Sequence, residues 1–233
     1  MTLSNKKIDV NIPSLFRPFE CKDLVRLGRK TDGGYLINRE DVKKTDILIS
    51  FGIGDDWSFE KDFSQLNDCQ IVSFDKNSKV SKNDNFYVNQ RKMIYKNIGI
   101  EDTDDTVSFY NINSIESNNI FLKCDIEGKE YELLFGILQM SHKFSGICIE
   151  FHAVNHPKAY NHLTNFISKI DHKLVHVHAN NTTHVGEMGI PDVLEMTFTS
   201  SKNCYYNPNL TLPHMLDCVN NPQLIDFKVN FHE

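Results

Sequence analysis

The sequence predicts a single α/β domain in which a mostly parallel β-sheet is covered by helices on both faces. Short, nearly continuous apolar runs alternate with amphipathic segments from residue 46 onward, as strands and helices do in such domains. Strands that are buried on both faces give apolar runs of this kind. The length of 233 residues also fits one α/β domain, since these reach roughly 250 residues before they divide.

The apolar runs predict the strands. In chain order they are ILISF (47–51), QIVSFD (70–75), KMIYKNIGI (92–100), an edge strand or hairpin arm at 105–111, NIFLKCD (119–125), GICIEFH (146–152), KLVHVHA (173–179) and VLEMTFT (193–199). Apolar residues at helical spacing predict helices at 57–66 and 127–140. A third helix is predicted to begin at Pro157, because proline is favoured at the first helical position.

The domain organisation is expected to be simple. We expect one domain over 1–233, with a loosely structured lead-in and a hairpin at 1–45, a Rossmann-like core at 46–200 and a packed tail at 201–233. The hairpin is predicted by Asp32-Gly33-Gly34, because glycine adopts the positive φ of a tight turn at little cost.

Composition and charge argue against some classes of binding partner. The net charge of −6 argues against nucleic acid as the main partner. No apolar run approaches the ~20 residues of a membrane span, and the N-terminus lacks the apolar stretch of a secretory signal. We therefore expect a cytoplasmic protein that acts on a small molecule, with its oligomeric state left open.

Polar residues at strand ends predict a ligand site, because ligands of open α/β sheets bind beyond the carboxyl ends of the strands. Gly52 and Gly54 follow the first strand of the core and would let the backbone approach a ligand closely. Asp75 ends the next strand, 21 residues after Gly54, where a carboxylate can accept hydrogen bonds from a ribose. Trp57 stands where a nicotinamide fingerprint has its third glycine, which weakens that alternative.

Later strand ends supply candidates for chemistry. Asp125 would lie near the reacting group, and His152 and His178 are candidate general bases because histidine titrates near neutral pH. The same three residues, with Glu150 nearby, are also candidate ligands of a divalent metal. The sequence leaves both interpretations open.

The hairpin carries a further set of candidates. Lys30, Asp32, Gly33 and Tyr35 combine a cation, an Asp-Gly-Gly turn and an aromatic ring. They could form a lid over a carboxylate or phosphate, or an ordinary turn.

The order of these motifs resembles the FkbM-type family of S-adenosylmethionine-dependent methyltransferases. The matching segments are GRKTDGGYLI (28–37), ISFGIGDDWSFE (49–60), IVSFDKN (71–77), FLKCDIEGKEYELL (121–134) and ICIEFH (147–152). The tail segment LPHMLDCVNNPQ (212–223) is similar to relatives associated with bacterial surface-glycan (polysaccharide) biosynthesis.

The resemblance implies a Rossmann-like seven-strand methyltransferase fold with S-adenosylmethionine as cofactor, and O-methylation of a sugar or of a phosphate-type group of a glycan precursor. It implies that the glycine loop and Asp75 bind the cofactor, that residues 98–102, including Ile100 and Glu101, face the adenine, and that Asp125 lies near the amino acid moiety or the acceptor. Three alternatives remain: a metal-dependent enzyme built on the Asp and His residues, an NAD-dependent oxidoreductase, and a non-catalytic binding module.

Overall fold

The structure is a computed structural model that describes residues 7–79 and 91–232. The strands are β1 (Lys7–Pro13), β2 (Glu20–Cys21), β3 (Leu24–Leu27), β4 (Tyr35–Asn38), β5 (Ile47–Phe51), β6 (Gln70–Phe74), β7 (Arg91–Ile94), β8 (Asn97–Gly99), β9 (Thr106–Ser108), β10 (Ile120–Cys124), β11 (Phe144–Phe151), β12 (Lys173–Ala179), β13 (Leu194–Thr199), β14 (Cys204–Tyr205) and β15 (Asp226–His232). The α-helices are α1 (Arg39–Lys44), α2 (Ser58–Leu66), α3 (Glu130–Gln139) and α4 (Pro157–Lys169).

Seven strands form the central sheet in the order β12-β13-β11-β10-β5-β6-β7. β5, β6, β7, β10 and β11 run parallel, whereas β13 is antiparallel to both of its neighbours. Strand order reverses between β5 and β10, which is where open α/β sheets leave a crevice for ligands. This is the predicted Rossmann-like seven-strand methyltransferase arrangement.

The sheet is buried on both faces because successive side chains point to opposite sides. Phe121 packs with α2 residues Phe59 and Phe63, whereas its neighbour Leu122 belongs to the larger core that includes α3 and α4. Each inner strand therefore supplies apolar side chains to two layers, which explains its unbroken apolar run.

Three predicted elements differ from the structure. The strand expected at 92–100 divides into β7 in the central sheet and β8, which pairs in parallel with β9 as a separate two-stranded sheet. The edge strand expected at 105–111 is limited to β9, followed by a 3₁₀ turn at Phe109–Ser114. The helix expected from residue 127 begins at Glu130, because Glu127 (φ 56°) and Gly128 (φ 97°) have left-handed backbone conformations.

The lead-in is more ordered than expected over its described part, and residues 1–6 lie outside the described residues. β1 pairs in parallel with β15 of the tail, and Val10 and Ile12 of β1 are buried against the core. The predicted hairpin is formed by antiparallel β3 and β4. No helix in the described parts of the chain is long and apolar enough to cross a membrane.

Candidate functional site

A cleft of about 640 Å³ opens at the carboxyl ends of β5, β6 and β10. This volume lies in the range of about 300–1,000 Å³ that is typical of small-molecule sites. The lining residues are Arg29, Asp32, Gly33, Gly52, Ile53, Gly54, Asp55, Asp56, Phe59, Phe74, Asp75, Asn77, Asn97, Ile98, Lys123, Asp125, Ile126, Glu127 and Lys129. The structure thus brings Gly52, Gly54, Asp75 and Asp125, all predicted from strand ends, to one cavity.

The two glycines after β5 have different structural roles. A Cβ on Gly52 would overlap the carbonyl oxygen of Asp125, so only glycine at this position allows the chain after β5 to pack against the chain after β10. A Cβ on Gly54 would meet no atom within 4 Å. Both have positive φ, 73° and 57°. Gly54 therefore leaves open space for a ligand to approach the backbone.

Asp75 holds the glycine loop in place. Its Oδ2 accepts hydrogen bonds from the backbone N–H of Gly54 (2.8 Å) and Ile53 (3.2 Å), and its Oδ1 accepts one from Asn77 (2.7 Å). Because a carboxylate offers about four acceptor sites, one site on Oδ1 is left for a ligand hydroxyl. Asp75 can therefore fix the loop and accept a ligand hydroxyl at the same time.

Apolar side chains form the walls beside the loop. Ile53 and Ile98 are almost fully buried, while Phe74 and Ile126 are partly exposed to the cleft. Such a wall can pack against the flat face of a ligand ring. Of the segment expected near the adenine, Ile98 lines the cleft beside Asn97. Ile100 and Glu101 do not line it, because they follow the end of β8 and are exposed.

The hairpin closes one side of the cleft through charge pairs. Arg29 Nε lies 3.0 Å from Asp56 Oδ2, and its Nη2 lies 3.9 Å from Asp55 Oδ1. Asp32 and Gly33 line the cleft, whereas Lys30 is exposed and does not. The hairpin cation that lines the cleft, Arg29, is therefore already paired with carboxylates of the glycine loop.

Asp125 and His152 meet beyond the ends of β10 and β11. His152 Nδ1 is 2.6 Å from Oε1 of the buried Glu130, on the first turn of α3. His152 Nε2 lies 3.5 Å from Glu127 Oε2, 3.9 Å from Asp125 Oδ1 and 4.0 Å from Glu150 Oε1. One imidazole is thus surrounded by four carboxyl groups.

These carboxyl groups change the protonation of His152. Burial alone would lower its pKa, but the hydrogen bond and charge of Glu130, together with Glu150 and Asp125, raise the pKa to about 9. In this environment the imidazole carries a proton at neutral pH. It is therefore not free to accept one, as the predicted general base would have to do.

Tyr35 links two of the carboxyl groups. Its buried hydroxyl lies 3.0 Å from Asp125 Oδ2 and 2.8 Å from Glu150 Oε2. One hydroxyl has one proton to donate, so the second contact is complete only when a carboxyl group holds a proton. Burial raises the pKa of both carboxyl groups, that of Glu150 well above its usual range, which favours one shared proton on this pair.

His178 does not reach the cleft. It is buried, and its Nδ1 lies 3.2 Å from Glu195 Oε2. Burial alone would lower its pKa, but the charge and hydrogen bond of Glu195 raise it to about 9. Within the described residues, the atoms that could share a metal ion with Asp125 come from Glu127 and His152, not from His178. The alternation of β12 turns His178 toward β13 and the tail instead.

A network of amide and carboxylate side chains behind the cleft was missed from the sequence. Asn220 Nδ2 lies 2.9 Å from Asp32 Oδ1 and 2.6 Å from Glu195 Oε1. Asn180 Nδ2 lies 3.1 Å from both Asp32 Oδ1 and Glu150 Oε1. The available signal was Glu195 itself, a carboxylate inside an apolar run that must find polar partners when buried.

Comparisons with known proteins give distant structural similarities. No protein-family model matches this chain, and no curated protein does. Among solved structures, a hemolysin-like protein from Streptococcus thermophilus is 12% identical with a TM-score of 0.37, over 76% of this chain and 74% of that one. A chain from a fibrillarin/Nop5p complex is 10% identical with a TM-score of 0.40, over 83% of this chain and 99% of that one. The Methanococcus jannaschii fibrillarin pre-rRNA processing protein is 10% identical with a TM-score of 0.36, over 68% of each chain. These values carry no conclusion about activity, and the fold class follows from the strand order itself.

Proposed function

We propose that this protein is a methyltransferase of the FkbM type that uses S-adenosylmethionine to methylate an oxygen of a sugar or of a phosphate-type group in a glycan precursor. The observation that carries the proposal is the cleft itself. It joins a glycine loop held by Asp75 to the Asp125–His152 cluster at the point where strand order reverses. Ligand-binding clefts of open α/β sheets occur at this point.

The residues present fit S-adenosylmethionine. Gly54 leaves room for close approach, Asp75 keeps one acceptor site for a ribose hydroxyl, and Phe74 and Ile98 offer an apolar wall for the adenine. The carboxylate of Asp125 would face the positive end of the cofactor. When bound, S-adenosylmethionine supplies an electrophilic methyl group, and the chain has to align the acceptor and exclude water.

The acceptor oxygen is assigned to the side of the cleft where Asp125 and His152 meet. Neither His152 nor His178 is free to take a proton at neutral pH, because carboxylates raise the pKa of both. The proposed reaction therefore needs an acceptor oxygen that is already anionic, or a group other than these histidines that makes an acceptor hydroxyl more acidic.

Ligand-dependent thermal stability tests the cofactor assignment. S-adenosylhomocysteine at 100 times its dissociation constant should stabilise the protein by about 2.7 kcal/mol and raise the Tm by several degrees. NAD, tested in parallel, should give no shift. A shift with NAD alone would overturn the proposal in favour of an oxidoreductase.

A further inference from the structure

Asp125, Glu127 and His152, here called the Asp125 cluster, have the spacing of ligands around one ion. Each offers one atom, and these atoms lie within 4.8 Å of one another. His152 Nε2 is 3.5 Å from Glu127 Oε2 and 3.9 Å from Asp125 Oδ1. Both distances exceed the roughly 2.7–3.2 Å that is typical of hydrogen bonds from nitrogen to oxygen. Two ligand atoms that are each about 2.1 Å from one metal ion are separated by about 3.4 Å at a tetrahedral angle, and by more at wider angles.

The imidazole is oriented from behind. Its Nδ1 lies 2.6 Å from Glu130 Oε1, and Glu130 is fully buried. The other oxygen of Glu130, Oε2, is buried with no hydrogen-bond partner among the described residues. A carboxylate on the far nitrogen is the usual partner of a metal-binding histidine, because it fixes the ring and its tautomer. Glu130 therefore directs Nε2 toward the cluster.

A neighbouring group of acids gives a useful contrast. Asp32, Glu150 and Glu195 also place one atom each within 4.8 Å of one another. There the amide groups of Asn180 and Asn220 donate hydrogen bonds to all three carboxyl groups. These donors stabilise the carboxyl oxygens without a bound cation.

The carboxylates of the Asp125 cluster have fewer neighbouring donors and positive charges to stabilise them. The charge of Lys123 acts on Asp125, but its ammonium group also donates a hydrogen bond to the Gly52 carbonyl oxygen and faces the buried Glu60. Asp125 and Glu127 line the cleft, so an ion can enter from solvent.

We propose that Asp125, Glu127 and His152 bind one divalent cation at the acceptor side of the cleft. Two carboxylate oxygens and one imidazole nitrogen suit a borderline-hard ion, for which Mn²⁺ is the natural probe. Three protein ligands leave coordination positions open toward the cleft for oxygen atoms of a second molecule. His152 Nε2 would release its proton to solvent as the ion binds, because a metal-bound imidazole nitrogen cannot keep one. A cation there would make a bound hydroxyl more acidic. That catalytic role rests on the proposed function, whereas the binding itself does not.

Mn²⁺ titration of the full chain, without any cofactor, tests the site. The electron paramagnetic resonance signal of free Mn²⁺ should show one bound ion per chain. Asp125→Asn and His152→Gln should each weaken binding at least tenfold. The matched control is Glu132→Gln, an exposed carboxylate on the same helix as Glu130, which should bind Mn²⁺ as the wild type does. Absence of binding by the wild type, or equal binding by all four proteins, would overturn the proposal.

A second measurement uses the wild type alone, so it does not depend on how well the variants fold. Electron spin-echo modulation of bound Mn²⁺ should show coupling to an imidazole nitrogen. Bound Mn²⁺ without that coupling would place the ion elsewhere and refute the assignment. The result is separable from the cofactor test. Mn²⁺ binding without a Tm shift by S-adenosylhomocysteine would support the cation site and contradict the proposed function. A Tm shift without Mn²⁺ binding would support the proposed function and contradict the cation site.

Discussion

At the scale of single residues, the glycine loop separates packing from ligand approach. Gly54→Ala should fold with a loss of about 1–2 kcal/mol, because alanine is strained at positive φ. Its Cβ would enter open cleft space, so we expect the affinity for S-adenosylhomocysteine, measured by calorimetry, to fall at least tenfold. Gly52→Ala should fail to fold, because its Cβ would overlap the Asp125 carbonyl oxygen.

Gly189→Ala is the matched control for the loss of affinity. Gly189 also has positive φ (73°) and open space around its Cβ position, but it does not line the cleft. It should show a similar loss of stability with unchanged affinity. Equal affinity of the wild type and the Gly54 variant would mean that no ligand approaches this part of the backbone.

What the sequence reveals about the site depends on where each residue lies. Asp75 and Asp125 were predictable, because they directly follow apolar runs and strand ends share one edge of the sheet. Glu130 was not, because its role depends on the left-handed backbone at Glu127 and Gly128, which delays α3 and sets its first turn against His152. His178 was misplaced because alternation along β12 does not reveal which face meets the cleft.

At the scale of elements, the tail is part of the wall behind the cleft. Asn220 is buried and bridges the hairpin at Asp32 to Glu195 on β13. Asn220→Ala would leave both carboxylates with fewer donors, which we expect to lower the free energy of unfolding by about 1–3 kcal/mol. Urea unfolding measures the loss. Hydrogen exchange should increase at residues 28–34, because the hairpin turn loses the side-chain bond to the tail and keeps only the backbone bond from Asp32 N–H to the Asn220 carbonyl oxygen.

Asn209→Ala provides the control for that change, since Asn209 is an exposed residue of the same tail. It should leave both stability and exchange in the hairpin near wild-type values. A loss of stability equal to that of the Asn220 variant would show that any change in the tail destabilises the protein and that the bridge has no special role.

The arrangement of elements was predictable only where neighbours in sequence are neighbours in space. Buried runs identify β5, β6, β10 and β11 without reference to distant residues. The pairing of β1 with β15 joins segments more than 200 residues apart, and no local pattern links them. Alternation in β1, with Val10 and Ile12 buried, was a weak local signal for a strand but not for its partner.

At the scale of the whole molecule, a buried acid should make stability depend on pH. Asp41 on α1 is fully buried, and burial raises its pKa from 3.8 to about 7. The folded state therefore binds a proton that the unfolded chain has already released between about pH 4 and pH 7. Stability from this group is fully present below about pH 4 and is lost as the pH rises toward 7. The Thr199 hydroxyl on β13, and then Lys44 and Glu40 on the same helix, act on the pKa of Asp41 less strongly than burial does.

Asp41→Asn should remove this contribution, because the amide is neutral at every pH. Urea unfolding at pH 5 and pH 8 should therefore show a smaller decrease in the free energy of unfolding for the variant than for the wild type. Other titrating groups are common to both proteins and cancel in that comparison. Asp68→Asn, at an exposed aspartate, should show the wild-type pH dependence. An unchanged difference between pH 5 and pH 8 in the Asp41 variant would mean that Asp41 is ionised in the folded protein, and α1 would then have to supply it with a buried counter-charge.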